Sequence, residues 1–227
     1  MKFQAIKYID GSKYRNIYTV GDLHGSYTLL MQSLQKLQFD FEKDLLISVG
    51  DLVDRGKENI KCIELLDKKW FVAVRGNHEN FCIQGLNDYY IAHIHSLSNN
   101  GGSWFYALSE TTQKNIVSQF ENLPYIIELK FKNEKIGFVH ANVPDVHWEK
   151  LKQLVEVDKE QPLGTRTIRS DIIWNRDLVY QENPKNILGI DRVYLGHTIV
   201  DSITQKGNCF FIDTGANLTQ KLTIVKL

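Results

Sequence analysis

The sequence contains few cysteines and few prolines. Its three cysteines, Cys62, Cys82 and Cys209, lie far apart, and none stands in a Cys-x-x-Cys spacing. This pattern argues against a disulfide framework and against a thiolate zinc site. It favours buried thiols in a reducing compartment. Only four prolines occur among 227 residues, and the chain has no low-complexity stretch or internal repeat.

Long hydrophobic runs and net charge are also absent. The N-terminal segment has no apolar run of signal-peptide length, and no later stretch approaches the roughly 20 apolar residues of a membrane span. Lys and Arg number 27, as do Asp and Glu, so no global field attracts nucleic acid or an anionic membrane. We expect a cytoplasmic protein without nucleic-acid or membrane partners, folded as a single domain over residues 1–227.

The first 80 residues alternate regularly between two patterns. Apolar runs with strand character occupy residues 16–20, 44–49 and 70–74, and each run ends in a polar cluster. Helical periodicity at 27–37 and 59–66 separates them. The repeated pattern predicts parallel strands with crossover helices. Polar residues just beyond the carboxyl ends of such strands form the ligand crevice.

The remaining chain is less regular. Residues 81–122 read as helices interrupted by a loop at 99–102. The runs 125–131 and 135–139 flank a turn and predict a hairpin. Further strands are expected at 192–195, 208–212 and 218–225. The polar stretch 145–169 is interpreted as an irregular surface lobe near the site.

Residues that can bind metals or move protons stand at five predicted strand ends. They are Asp22 and His24 in GDLHG, Asp51, Asp54 and Arg55 in GDLVDRG, Asn77 and His78 in GNHE, His140, and His197. Any one of these alone is more often a polar turn or a satisfied histidine. Independent polar turns at all five strand ends are improbable, so the set predicts a metal centre.

The ligand types indicate the class of metal. Carboxylate, imidazole and amide donors without thiolate suit manganese, iron or zinc. Six ligands are too many for one catalytic ion with an open position, and they fit two ions that share a carboxylate. These ligands are Asp22, His24, Asp51, Asn77, His140 and His197. Asp51 follows the central of the three early strands, so we expect it to bridge the ions.

A pocket with two divalent ions and the guanidinium groups of Arg55 and Arg176 favours a phosphate dianion. His78 is the expected general acid for the leaving alkoxide, with Asp54 orienting its ring. No serine or cysteine stands in a nucleophile elbow. The sequence therefore predicts a phosphomonoesterase that works by direct attack of a metal-bridging hydroxide.

The motifs GDLHG, GDLVDRG and GNHE, followed by His140 and His197, resemble those of the phosphoprotein phosphatase family. Residues 9–17, 43–56, 73–79, 172–176 and 212–216 are similar to its bacteriophage members in particular. The resemblance implies an α/β (α+β) metallophosphoesterase fold, in which helices flank a central β-sandwich of mixed sheets. It also implies manganese dependence in assay and a phosphoprotein or phosphopeptide substrate carrying phosphoserine, phosphothreonine or often phosphotyrosine.

The resemblance further implies a division of the ligands. Asp22, His24 and Asp51 would hold the first ion, whereas Asp51, Asn77, His140 and His197 would hold the second. The chain departs from the family pattern at Asn142, where an acidic residue is common, and throughout 143–169.

Two other functions remain open from the sequence. A nucleotide phosphohydrolase, such as a symmetrical diadenosine tetraphosphate hydrolase, shares GDxHG and GNHE, although such enzymes are usually longer in the C-terminal half. A non-catalytic metal-binding scaffold is the alternative from another class. It would need neither His78 nor Arg55.

Overall fold

The computed structural model describes residues 3–159 and 161–227 and contains two β-sheets. The strands are β1 (Ile6–Asp10), β2 (Ile17–Val20), β3 (Leu45–Ser48), β4 (Phe71–Ala73), β5 (Ile126–Phe131), β6 (Glu134–Phe138), β7 (Arg192–Leu195), β8 (Thr204–Lys206), β9 (Cys209–Phe211) and β10 (Ile224–Lys226). One sheet has the order β10-β2-β3-β4, and the other has the order β1-β5-β6-β7-β9-β8.

Both sheets are mixed. In the four-stranded sheet β2, β3 and β4 are parallel, and β10 runs antiparallel to β2. This confirms the parallel arrangement predicted for the first three strands, with β3 in the middle. In the six-stranded sheet β5 and β6 form the predicted antiparallel hairpin, while β6, β7 and β9 are parallel.

Helices cover the outer faces of the sheets. They are α1 (Tyr27–Lys36), α2 (Asn59–Ile63), α3 (Asn77–Gly85), α4 (Tyr89–Ser96), α5 (Ser103–Tyr106), α6 (Glu110–Glu121), α7 (Trp148–Val157), α8 (Ile168–Trp174), α9 (Asp177–Tyr180) and α10 (Ala216–Thr219). Short 3₁₀ helices occupy Gly11–Lys13 and Glu64–Asp67.

Three apolar layers hold these elements together. Between the sheets, Leu45 and Ile47 pack against Ile127 and Phe138. On the outer face of the four-stranded sheet, helices α1, α2, α3 and α6 contribute to a second core. On the outer face of the six-stranded sheet, α7 and α8 contribute to a third. The result is the helix-flanked sandwich that the family resemblance implied.

Two sequence predictions in the C-terminal half are wrong. The stretch 145–169 is not an irregular lobe, because it contains α7 and the start of α8. Trp148, Leu151 and Val155 recur at helical spacing and are fully buried. Glu160 of this stretch lies outside the described residues. The strand expected at 218–225 is limited to β10, since Ala216–Thr219 is helical.

Strands β1 and β8 were not predicted from the sequence. Each lies at an edge of the six-stranded sheet. Only one residue of β1, Ile6, is buried, so its sequence shows little apolar alternation. Within the described residues, no helix combines the length and apolarity needed to cross a membrane.

Candidate active site

The polar clusters of the sequence meet at one edge of the sandwich. Three of them follow β2, β3 and β4, whose parallel pairing brings their carboxyl ends together. His140 follows β6 and His197 follows β7, which are also parallel to each other. Both sheets therefore contribute side chains to the same place.

Asp51 lies at the centre of this cluster. Its Oδ2 atom is 3.6 Å from His24 Nε2, 3.4 Å from His140 Nε2 and 3.9 Å from His78 Nε2. Two groups of candidate ligand atoms share this carboxylate. One contains His24, Asp51 and His78, and the other contains Asp51, His140 and His197, with the atoms of each group within 4.8 Å of one another.

Backbone carbonyl groups orient the rings of His24, His140 and His197. His24 Nδ1 lies 2.8 Å from the Val53 carbonyl oxygen, and His140 Nδ1 lies 2.7 Å from that of Val49. His197 uses Nε2 instead, 3.1 Å from the carbonyl oxygen of Trp174. Because the nitrogen facing a carbonyl must donate, the other nitrogen of each ring is the one available to a metal ion.

The surroundings of His140 suit a cation. Its Nε2 atom is 2.9 Å from Asn77 Oδ1, in addition to its approach to Asp51. A proton or a metal ion at His140 Nε2 would satisfy both of these oxygen atoms. Burial would lower the pKa of His140, but the Asp51 charge raises it above its ordinary value. A bound divalent ion would take the place of that proton.

The environment of the Asp22 carboxylate suits a bound cation. Its Oδ2 atom accepts from the His197 N–H at 2.9 Å, whereas Oδ1 is buried and has no hydrogen-bond partner among the described residues. Burial, Asp213 and Asp51 raise the pKa of Asp22 well above its usual range. Gly196 makes the close approach possible, since a Cβ there would collide with Asp22 Oδ1. Although Asp22 stands outside the two donor groups, its environment fits a metal ligand.

Asp51 and His24 are held in the protonation states that ligands need. Burial would raise the pKa of Asp51, yet His140, His78 and His24 hold it well below its ordinary value. Burial, followed by the charges of His78 and Arg55, lowers the pKa of His24 to about 3. Asp51 is therefore ionised and His24 neutral near pH 7.

The backbone is in a sparsely populated conformation at several of these positions. Positive φ angles occur at His24 (42°), Asp51 (50°), Asp54 (75°), Arg55 (64°) and His197 (67°). Such conformations are uncommon for residues other than glycine and cluster at functional sites.

The first turn of α3 lies against Asp51. The His78 N–H donates to Asp51 Oδ1 at 3.0 Å. The Glu79 carboxylate accepts from the N–H groups of Gly76, Asp51 and Leu52 at 2.8, 3.0 and 2.8 Å. Burial and the neighbouring Asp51 raise the pKa of Glu79 to about 7. Glu79 thus joins the start of α3 to the loop that carries Asp51.

His78 and Asp54 form a buried pair. His78 Nδ1 is 2.6 Å from Asp54 Oδ2, which leaves His78 Nε2 on the side of Asp51. Burial would raise the pKa of Asp54, but hydrogen bonds from His78 and His95 lower it to about 2. The pair can therefore hold and deliver a proton from Nε2.

Two arginines lie at the exposed rim. Arg55 Nε donates to the Asn99 carbonyl oxygen at 3.1 Å, and its Nη1 lies 2.5 Å from His24 Nε2. Arg176 lies between α8 and α9 and is near enough for its charge, after burial and His140, to lower the pKa of His197. A phosphate group at the edge of the sandwich would meet positive charge from both.

Comparison with known proteins now identifies the architecture. Residues 15–208 match the family model of calcineurin-like phosphoesterases. The chain belongs to this family. Serine/threonine-protein phosphatase 2 of Salmonella typhimurium is 34% identical to this phosphoesterase over 237 residues, with 99% of each chain covered. The resemblance predicted from the motifs is thereby confirmed.

Two further matches show how far the similarity to known proteins extends. A solved protein serine/threonine phosphatase from Saccharomyces cerevisiae, with similarity to human phosphatase PP5, has a TM-score of 0.66 at 16% identity, over 100% of this chain and 84% of that one. This similarity shows the fold alone. The symmetrical bis(5'-nucleosyl)-tetraphosphatase of Mannheimia succiniciproducens is 45% identical over only 64 residues, 27% of this chain and 23% of that protein.

Four residues beside the predicted site residues were missed from the sequence: Glu79, Asp213, and also His95 and Trp104, which contact Asp54. Glu79 stands in the GNHE motif at the third position of α3, where an acidic capping residue is expected. Asp213 stands in the IDTGA segment, two residues after the end of β9. His95 stands outside the motifs and 41 residues from Asp54, so no local sequence pattern indicates their contact.

A cleft is lined by residues that neighbour two predicted site residues in the chain. It has a volume of about 370 Å³, and its lining includes Asn142, Asp145, Arg166 and Asn175. Asn142 lies two residues after His140, so the departure from the family pattern noted in the sequence falls in the lining of this cleft.

Proposed function

We propose that this phosphoesterase removes phosphate from phosphoserine and phosphothreonine in proteins or peptides, and that it also accepts phosphotyrosine. The observation that carries the proposal is the Asp51 carboxylate, shared by two groups of metal-ligand atoms and lying 3.9 Å from the ring of the buried acid His78. The relationship to the Salmonella serine/threonine-protein phosphatase over the whole chain supports this substrate class.

We assign the metal ligands as expected from the sequence. Asp22, His24 and Asp51 would hold one ion, and Asp51, Asn77, His140 and His197 the other. Two such ions supply a water of lowered pKa and neutralise phosphate charge. The oxygen and nitrogen donor set favours manganese, with iron or zinc as alternatives.

Phosphate binding and proton donation are assigned to side chains beside the metal ligands. Arg55 and Arg176 bind the non-bridging phosphate oxygens and orient the ester. His78 donates the Nε2 proton to the leaving serine or threonine oxygen, while Asp54 accepts from Nδ1 and keeps the ring in place.

The cysteines do not offer an alternative nucleophile. Burial raises the pKa of Cys62 and Cys209 to about 12, and it raises that of Cys82 well above its ordinary value. A thiolate is therefore not available for attack near neutral pH. Water remains the nucleophile. All three thiols are free, which accords with a reducing, cytoplasmic location.

Hydrolysis of dinucleoside polyphosphates is the second candidate. The partial match to the Mannheimia tetraphosphatase favours it, but that match covers little more than a quarter of this chain. A scaffold without activity is disfavoured by the retained pair of Asp54 and His78.

A substrate panel tests the proposal. The purified protein is loaded with manganese and assayed on a phosphothreonine peptide, p-nitrophenyl phosphate and diadenosine tetraphosphate. We expect turnover of the first two and a kcat/KM for the peptide well above that for the dinucleotide. Preference for the dinucleotide would overturn the proposed substrate class. Absence of activity on all three substrates would support a non-catalytic scaffold.

A further inference from the structure

Asp54 is restrained by three side chains from different parts of the chain. Its Oδ2 atom is 2.6 Å from both His78 Nδ1 and His95 Nε2, and its Oδ1 atom accepts from Trp104 Nε1 at 2.6 Å. Asp54 and both histidines are almost completely buried. A carboxylate with donors on both oxygens cannot rotate without breaking at least one of these bonds.

Both ring nitrogens of His95 have hydrogen-bond partners. Asp54 is ionised and can only accept, so His95 Nε2 donates to it. The Tyr106 hydroxyl lies 2.9 Å from His95 Nδ1.

The packing around His95 fixes its ring plane. Phe81 stacks on it with ring centroids 5.0 Å apart and planes 10° apart. Gly102 lies against the ring edge so closely that a Cβ there would collide with it. The adjacent loop also touches the site, since the Asn99 carbonyl oxygen accepts from Arg55 Nε. One helix–loop unit thus supports both the general acid and a phosphate-binding arginine.

We propose that His95 is a positioning residue for the general acid: it fixes the Asp54 carboxylate, which in turn fixes the His78 ring with Nε2 towards the substrate. The proposal rests on the proposed function, because it assigns His95 a role in the same hydrolysis. The hydrogen bonds of His95 go to Asp54 and Tyr106, and we infer that it acts on the reaction through Asp54.

The physical consequence concerns the leaving group. Without the His95 donor, Asp54 Oδ2 can swing away, and the His78 ring loses its fixed tautomer and direction. The departure of an alkoxide is then slower, because this leaving group needs a proton in the transition state. The p-nitrophenolate ion is stable without a proton, so its departure is affected far less.

The first test compares His95→Phe with His93→Phe. Both residues lie on α4, but His93 is exposed and serves as the matched control. We expect His95→Phe to lower kcat on a phosphoserine peptide about 10–100-fold, the range typical for partners that orient a catalytic group. The loss on p-nitrophenyl phosphate should be much smaller, with KM and bound manganese close to the parent values. Equal losses on the two substrates, or no loss on the peptide, would overturn the proposal.

Rescue and coupling separate positioning from packing. His95→Gln keeps a donor for Asp54 and should recover part of the peptide activity, whereas Phe should not. In a His78→Asn background, His95→Phe should add no further loss on the peptide, since its effect passes through His78. Additive losses, or a Gln variant no better than Phe, would count against the role.

Folding is monitored by circular dichroism and melting temperature. Should His95→Phe not fold, Tyr106→Phe removes only the hydroxyl that holds His95 Nδ1. It should give a smaller loss with the same selectivity for the peptide, and an unselective loss would refute the inference. Failure of the proposed function itself looks different, because the unmodified enzyme would then not hydrolyse the phosphopeptide at all.

Discussion

Single residues at the site hold conformations that their neighbours must enforce. The positive φ angles of His24, Asp51, Asp54, Arg55 and His197 each cost on the order of 1–3 kcal/mol in a non-glycine residue. Glu79 offsets part of this cost by accepting from the N–H groups of Asp51 and Leu52. Hydrogen bonds within the chain thus help to hold these loops in the conformations that the candidate metal ligands adopt.

The proposed role of Asp51 as a bridge gives a prediction on metal content. Asp51→Ala should bind fewer than two ions per chain because both ligand groups lose a member. Elemental analysis after gel filtration in manganese measures the stoichiometry. A variant that still holds two ions would refute the bridge.

His78→Asn tests the general acid. The variant should keep both ions and lose about 10²–10⁴ in turnover of an alkyl phosphate. The loss on p-nitrophenyl phosphate should be smaller, as that leaving group needs no proton. Steady-state kinetics on the two substrates measure the difference, and unchanged activity on the alkyl phosphate would show that another group supplies the proton.

The positions of individual candidate site residues can be predicted from the sequence where a motif contains them, and poorly elsewhere. Asp22, Asp51 and Asn77 follow apolar strands, so their position could be predicted from the chain alone. His95 reaches Asp54 only through the packing of α4 on α3, and a contact between positions 41 apart in the chain leaves no local pattern.

Among the elements, β3 depends on a polar anchor at its start. Asp44 accepts from Arg15 Nε and Nη2 at 3.0 and 2.8 Å, and also from Asn16 N–H at 3.1 Å and Asp40 N–H at 3.0 Å. Burial would raise the pKa of Asp44, but these bonds lower it below its ordinary value of 3.8. The anchor aligns β3 with β2, and thereby the loop carrying Asp51 with the loop carrying Asp22.

Asp44→Asn should lower the free energy of unfolding by about 1–3 kcal/mol at pH 7. A depressed folded-state pKa contributes stability above the unfolded value, and the contribution is lost as pH falls through the folded value. The difference from the parent should therefore shrink below about pH 4. Urea unfolding at several pH values measures it, with Asp201→Asn at an exposed loop position as the control. A pH-independent difference would show that packing, not charge, is responsible.

Helix α7 tests the corrected description of residues 145–169. Leu151→Ala should destabilise the protein by about 2–5 kcal/mol, as expected for a fully buried leucine. Val157→Ala, at a position 75% exposed at the end of the same helix, should change stability by less than about 0.5 kcal/mol. Equal effects in chemical unfolding would contradict a packed helix here.

The strands and helices that were predicted are those whose apolar residues form a continuous run or recur at helical spacing. The buried runs of β2 and β3 and the leucines of α1 give strong patterns. The apolar face of α7 was overlooked because charged residues intervene, although Lys152 is itself buried and donates to Glu128. The edge strand β1 depends on pairing with β5, which is distant in sequence.

For the whole molecule, the metal ions should be a major source of stability. Asp22, Asp51 and Asp213 lie close together and buried, and their mutual repulsion opposes folding. Ion binding at 100 times its dissociation constant should add about 2.7 kcal/mol per site. The melting temperature should rise with manganese, fall with a chelator, and shift less in Asp51→Asn. A parent protein indifferent to both would speak against the ligand assignment.

The architecture was predicted only through the family resemblance. The repeats in the first 80 residues indicate parallel strands but do not show that a second sheet packs on the first. That arrangement depends on contacts such as Leu45 against Phe138, which join distant segments.

The proposed division of the ligands between the two sheets would have a mechanical consequence. Asp22, His24 and Asp51 all follow strands of the four-stranded sheet, whereas His140 and His197 follow strands of the six-stranded one. Parting the sheets by even a small hinge motion would leave the first coordination set together while dismantling the second. Under gradual denaturation the two ions would therefore leave in a fixed order, and the occupancy of the second would report on the contact between the halves of the sandwich.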